Sequence, residues 1–207
     1  MKLLFASRNL HKTLEFKQII KEIEGIDVYT LRDFPDYRQP EETGETFIEN
    51  AELKAAHAAK TLECIAISDD SGLVVPALNG APGVFSRRYA GENATDRENN
   101  QKLLEEMKDL DGVSRSAYYE CVISIADPEK ILKTVTGRCE GWISEEPRGS
   151  QGFGYDPLFI KHDYDKTFAE LEERVKNNVS HRYKAIQAAV PFLHSLLRKE
   201  TLNEAGL

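Results

Sequence analysis

Cysteine is scarce in this chain. Cys64, Cys121 and Cys139 are the only three in 207 residues. They stand too far apart for a zinc pattern, and an odd count does not make a disulfide framework. All three lie in apolar stretches and read as buried, reduced thiols. His11, His57, His162 and His194 are scattered, and none has HExxH spacing. A serine or cysteine nucleophile motif is missing, as are the Walker glycines of a standard P-loop. Long apolar runs are missing too. The first residues are too short a run for a signal peptide, and no stretch is long enough to cross a membrane, so the sequence reads as cytoplasmic. Positive charge is in deficit: 27 Lys and Arg against 35 Asp and Glu give a formal net charge of −8. That balance makes the chain a poor candidate for wrapping nucleic acid, where affinity comes mainly from neutralised phosphates. It still allows a small polyanion where cations and a metal gather in one cleft.

What is present suits one globular domain over residues 1–207, 41% hydrophobic and 30% charged. Leu3-Leu4-Phe5-Ala6 reads as a short buried strand. After the loop Ser7 to Lys12, Phe16, Ile19, Ile20 and Ile23 recur with helical spacing. Residues 31–45 read as a loop. Thr46 and Glu49 have capping-box spacing before a helix whose face is Phe47, Ala51, Ala55, Ala58 and Leu62. Cys64-Ile65-Ala66-Ile67 is a strand buried on both faces, expected to end in a turn at Asp69-Asp70-Ser71-Gly72. Residues 79–94 read as a long loop. Thr95 and Glu98 form a second capping box, with Leu103, Leu104 and Met107 behind it. Alternation from Ala117 to Ile125, a turn at Asp127 to Lys130 and residues 131–143 predict a hairpin. A glycine-rich loop over 147–157 leads to a short strand, Leu158 to Ile160. A last helix runs from Ser180 to about Lys199, with a kink expected at Pro191. The tail from Glu200 reads as frayed.

Five segments carry groups with chemistry, and each also has a plainer reading. Asp69-Asp70 follows an apolar strand, where ligands bind in open α/β sheets. Adjacent strand side chains face opposite ways, so the two carboxylates have different tasks. One or two carboxylates suit magnesium, with phosphates and water completing its shell. The plainer reading is an Asp-rich turn. Ser7, Arg8, Asn9, Leu10, His11 and Lys12 precede a helix whose N-terminus attracts anions, or simply cap it. Glu41-Glu42-Thr43-Gly44 offers an acid for a metal, or is a solvated loop. Gly152-Phe153-Gly154-Tyr155-Asp156-Pro157 offers close backbone approach and an aromatic ring for a base, or is a tight turn with both rings in the core. Lys176 and Ser180-His181-Arg182 bring cations to a helix start, or are an N-cap with surface charges.

In this order the segments, with Thr46 to Ala51, Ser71-Gly72-Leu73 and Gly80-Ala81-Pro82-Gly83, resemble the noncanonical purine nucleoside triphosphate pyrophosphatases, the inosine triphosphatase-like family. The resemblance spans residues 7 to 182. Gln151 stands where a glycine is common, and Arg87 where a small residue is usual. The resemblance implies an α/β fold with a long mixed central sheet flanked by helices, in two lobes with an active-site cleft between them. It implies hydrolysis of ITP, dITP and XTP to the monophosphate and pyrophosphate, with Mg2+, by a homodimer. It makes Asp70 the general base and a metal ligand, and Glu41 a second acid at the metal. Substrate contacts would be Ser7, Arg8, Asn9, Leu10, His11, Lys12, Ser71, Phe153, Gly154, Tyr155, Asp156, Lys176, His181 and Arg182. Two other readings compete: a pyrophosphatase for pyrimidine or modified nucleotides, and a nucleotide-binding regulatory module without catalysis.

Overall fold

The structure, a computed structural model, describes residues 1–204, with the side chains of 203 and 204 left aside. Its elements are β1 (Lys2–Phe5), α1 (Leu10–Ile20), β2 (Asp27–Thr30), α2 (Phe47–Leu62), β3 (Ala66–Val74), α3 (Asp96–Glu106), β4 (Ser116–Ala126), β5 (Ile131–Ile143), β6 (Phe159–Lys161), α4 (Glu173–Val179) and α5 (His181–Glu204). The six strands form one mixed sheet in the order β2-β1-β3-β4-β5-β6. β1 pairs in parallel with β2 and β3, and β5 pairs antiparallel with β6. The chain divides into two compact units. The first comprises residues 1–70, 121–137 and 182–207, and the second residues 71–120 and 138–181. No helix among the described residues is long and apolar enough to cross a membrane.

In the first unit β1 is buried on both faces, which is why its sequence is apolar without alternation. Leu3 and Phe5 join Phe16, Ile19 and Ile20 of α1 and Ala185, Ile186, Ala189 and Leu193 of α5. Leu4 and Ala6 face the other way, with Ala55, Ala58 and Ala59 of α2. Both predicted capping boxes form, at Thr46–Glu49 and Thr95–Glu98. α5 is continuous through Pro191 and stays helical to Glu204, beyond the point where the tail was expected to fray; residues 205–207 lie outside the described residues.

The second unit has its own core, in which Leu103 and Met107 of α3 meet Leu73, Tyr119, Tyr155, Phe159 and Phe168. Arg115 is buried there as a carbonyl tie: its guanidinium donates to Met107, Leu110, Ile143 and Ser144. β2 and α4 were not anticipated. Both are short, and at four and seven residues they carry too little periodicity to read.

The expected turn at Asp69-Asp70-Ser71-Gly72 is not a turn. β3 continues through these residues to Val74. Charges normally end a buried strand; here partners from other elements neutralise them, and so the pairing persists.

Candidate active site

The alternation of β3 splits its acidic pair. Ile65 and Ile67 belong to the cluster formed with α1 and α5, so Asp69, two residues on, faces those helices. Cys64 and Ala66 belong to the cluster formed with α2, so Ser68 and Asp70 face α2. The contacts follow this register. Arg182, the second residue of α5, donates to Asp69 Oδ2 from Nε at 3.2 Å and from Nη2 at 3.0 Å. Lys12 of α1 places its Nζ 3.2 Å from the same oxygen. The remaining arm of Arg182 donates to Glu15 of α1. On the opposite face, Lys54 of α2 donates to Asp70 Oδ1 at 2.8 Å and to Glu42 Oε1 at 2.9 Å. Ser68 donates to the Ala51 carbonyl at 2.5 Å.

These surroundings push the two carboxyls apart. Complete burial works to raise Asp69, but the charges of Lys12, Arg182 and Lys54 outweigh it and hold the group well below the usual carboxylate range. For Asp70 burial wins. Its pKa is raised, although Lys54 and Lys12 pull the other way. Asp69 is therefore a fixed anion, whereas Asp70 is more basic than an ordinary aspartate. Two carboxyls with divergent environments are the usual mark of divided roles. Lys54, between its two acids, is raised to about 12: burial works to lower it, and Asp70, Asp69 and Glu42 prevail.

The loop Ser7 to Lys12 is a built helix entry. Asn9 Oδ1 accepts from the Lys12 N–H at 3.1 Å, and Ser7 Oγ from the Asn9 N–H at 3.3 Å. Arg8 donates to the Tyr37 carbonyl. Leu10 and His11 are exposed.

The second unit holds the other predicted group. Asp156 is buried and accepts from Lys176 Nζ at 2.5 Å and from the Phe153 N–H at 2.9 Å. The Lys176 ammonium also lies 4.8 Å from the centroid of the half-buried Phe153 ring. Gly152 has φ +77°, and a Cβ there would meet Asp156 Oδ2 at 2.1 Å, so the turn requires glycine. Tyr155 lies in the core with its hydroxyl on the Ser86 carbonyl at 2.8 Å. His181 is buried, with its ring stacked on Tyr119 at 4.6 Å and an interplanar angle of 9°. Of the two aromatics in the loop, Phe153 is thus the one with an accessible face.

Arg182, expected as a substrate contact, is 1% exposed and its guanidinium is engaged by two acids. Glu41 is exposed, and its neighbour Glu42 is the residue linked to Asp70 through Lys54. Sequence reasoning missed Lys54 and Glu15. The signal was there: each is a charge at a core-facing position, Lys54 beside Ala51, Ala55 and Ala58, and Glu15 beside Phe16 and Ile19.

Among the described residues no three of His, Cys, Asp and Glu gather to hold a metal. Asp70 and Glu42 do converge on a single ammonium, which shows that this face of β3 accepts a cation between oxygen donors. A hard cation that needs only one or two carboxylates, with phosphate and water for the rest, fits such a donor set.

The Ham1 family model matches residues 3–192. A dITP/XTP pyrophosphatase of Protochlamydia amoebophila is 51% identical over 197 residues, covering 95% of this chain and 99% of that protein. One of Chlamydia pneumoniae is 47% identical over 203 residues, covering 98% of each. Among solved structures, a HAM1 protein from Coxiella burnetii superposes with a TM-score of 0.85 at 43% identity, over 94% of this chain and 99% of that one. The Staphylococcus aureus Ham1 protein gives 0.83 at 42%, over 94% and 99%. With the family model spanning nearly the whole length and relatives this similar end to end, the chain belongs to the Ham1 family.

Proposed function

We propose that this chain hydrolyses noncanonical purine nucleoside triphosphates, ITP, dITP and XTP, to the monophosphate and pyrophosphate, removing them from the nucleotide pool of the cytoplasm as a homodimer. The observation that carries the reading is the divided acidic pair of β3: a locked anion, Asp69, beside a cation-facing, raised-pKa Asp70. The names of the relatives, dITP/XTP pyrophosphatases, support the same substrate class.

In this reading Asp70 is the general base, with its carboxylate oriented by Lys54. Asp70 would hold magnesium with an acid of the Glu41-Glu42 loop, Glu41 by the family resemblance and Glu42 by its link to Asp70 through Lys54, and the ion when bound supplies charge neutralisation and Lewis-acid activation at the triphosphate. Asp70 takes the proton of the water that attacks the α-phosphorus. Lys12 and the N–H groups at the start of α1 receive phosphate charge. Ser71 and residues Ser7 to His11 are further substrate contacts in this reading. Asp69 and Arg182 act one step back: Arg182 fixes Asp69, and Asp69 in turn fixes Lys12.

Phe153 supplies the stacking face, worth about 1–3 kcal/mol for a base on an aromatic ring. Gly154 allows close backbone approach, with Tyr155 and Asp156 holding the turn. Lys176 and His181 donate to the 6-oxo acceptor that hypoxanthine and xanthine share. Adenine presents a donor there, and a mismatch of this kind discriminates by about 10⁴–10⁵.

The test is product analysis with dITP. Pyrophosphate is expected as the first product, with turnover lost on chelating magnesium. Orthophosphate as the first product, or preference for dUTP over dITP and XTP, overturns the reading.

A further inference from the structure

The proposed function leaves α3 without a task, yet α3 grips the base-recognition loop. Asp96 and Asn100 are four residues apart and so share a helical face. Asp96 Oδ2 accepts from the Gly154 N–H at 2.7 Å. Asn100 Nδ2 donates to the Gly154 carbonyl at 2.9 Å. Both main-chain polar groups of one loop residue are therefore held by side chains of one helix. We propose that Asp96 and Asn100 are positioning residues that set the height of the Phe153 ring, and hence the affinity for a purine base. This rests on the reading of Phe153 as the stacking residue.

The loop needs such a device. Gly152 and Gly154 have φ of +77° and +63°, left-handed conformations open to glycine without steric cost but not preferred by it, so contacts from outside must select them. Close packing fixes Gly152 against Asp156 but leaves open space beside Gly154. A cavity of about 600 Å³ adjoins it, lined by Phe153 and Gly154 on one side and Asp96, Asn100 and Leu104 on the other. Asp156 secures the Phe153 N–H at 2.9 Å, and α3 secures the next residue.

The helix is a firm reference. Its first turn is closed by the Thr95–Glu98 capping box. Asn99 accepts from the Ala90 N–H at 2.8 Å and donates to the Arg87 carbonyl at 2.9 Å, and Lys102 donates to the Tyr89 carbonyl at 2.7 Å. Asn100 itself is a poor choice for stability. It is 7% exposed, and its Oδ1 has no hydrogen-bond partner among the described residues. A buried acceptor left unpaired is destabilising. What Asn100 contributes is a donor at a defined place, and that donor goes to the substrate loop.

The test is steady-state kinetics on the full chain with dITP. Asn100→Ala and the near-isosteric Asn100→Asp are expected to raise KM about tenfold, the worth of one buried hydrogen bond. Turnover should stay within about threefold, since the lost contact serves binding. Asp96→Ala should raise KM less, because Asp96 is exposed, and Asp96→Asn, which keeps an acceptor, should restore it. Phe153→Ala is the reference and should raise KM at least about tenfold. In the Phe153→Ala background, Asn100→Ala should add little, because both changes remove one interaction. Additive effects, or a lowered melting temperature with KM unchanged, overturn the positioning role. Should Asn100→Ala not fold, the exposed Asp96 pair and its rescue decide the question alone. An unchanged KM in Phe153→Ala overturns the stacking reading, and the positioning role with it.

Discussion

Asp69 and Asp70 stand on a buried strand in the first unit, whereas Phe153 stands on a loop between two glycines in the second. On the strand, backbone pairing sets the direction of each side chain, and charged partners from α1, α2 and α5 lock it. In the loop the backbone has little preference of its own, and hydrogen bonds from Asp156, Asp96 and Asn100 choose the conformation. The strand arrangement buries charge, which is costly unless every charge is paired. The loop arrangement buries one charge pair, Lys176–Asp156, beside the ring, and its other ties are hydrogen bonds of modest individual strength. The first design suits groups that must be fixed for bond breaking. The second suits recognition, where a small displacement alters affinity.

The comparison predicts a ranking of effects. Asp70→Asn should lower turnover by about 10³, within the range for loss of a general base, and change KM for dITP by much less. Pyrophosphate release checks this, and near-normal turnover removes Asp70 from the chemistry. Next comes Arg182→Met, which strips the guanidinium from two buried acids. It should destabilise the protein by about 3 kcal/mol, read from the urea midpoint. A loss below about 0.5 kcal/mol, the level of an exposed pair, shows that the buried network is not what holds Asp69. The tenfold KM changes expected for the loop and its α3 supports rank below these. The smallest effect belongs to the capping carboxylates at the surface, Glu98 exposed and Glu170 half-buried. Backbone N–H groups of Thr95 and Thr167 hold Glu98 and Glu170 below their ordinary 4.5. A folded pKa below the unfolded value contributes stability that is present above about pH 4.5 and is lost as pH falls through the folded value. Thermal melts from pH 6 to pH 3 should show that decline, and Glu98→Gln should make it shallower. An identical profile in the variant assigns the decline to other acids.

How far the sequence could be read follows from how local each interaction is. The capping boxes at Thr46–Glu49 and Thr95–Glu98 were legible because their partners are three residues apart. The β1 core and the β4–β5 hairpin were legible from apolar runs and a turn. The length of β3 was not. Its continuation past Asp69 depends on Arg182, 113 residues away, and a charge with so distant a partner looks like a strand end. Lys176 was legible as a candidate, but its 2.5 Å contact with Asp156, 20 residues earlier, was not. Tyr155's place in the core was one of two readings of the turn, and its hydroxyl contact with the Ser86 carbonyl, 69 residues earlier, was not legible.

The sequence by itself determined that Asp69 and Asp70 face opposite ways, because strand side chains alternate wherever the strand lies. It also offered glycine-flanked aromatics for a ligand, without deciding which ring would stack and which would enter the core. Only the tertiary structure decided which carboxylate met Arg182 and which met Lys54, and therefore which became the locked anion and which the base. That outcome depends on which helix covers each face of β3, and the helices are brought there by burial of their apolar stripes, not by the acids themselves.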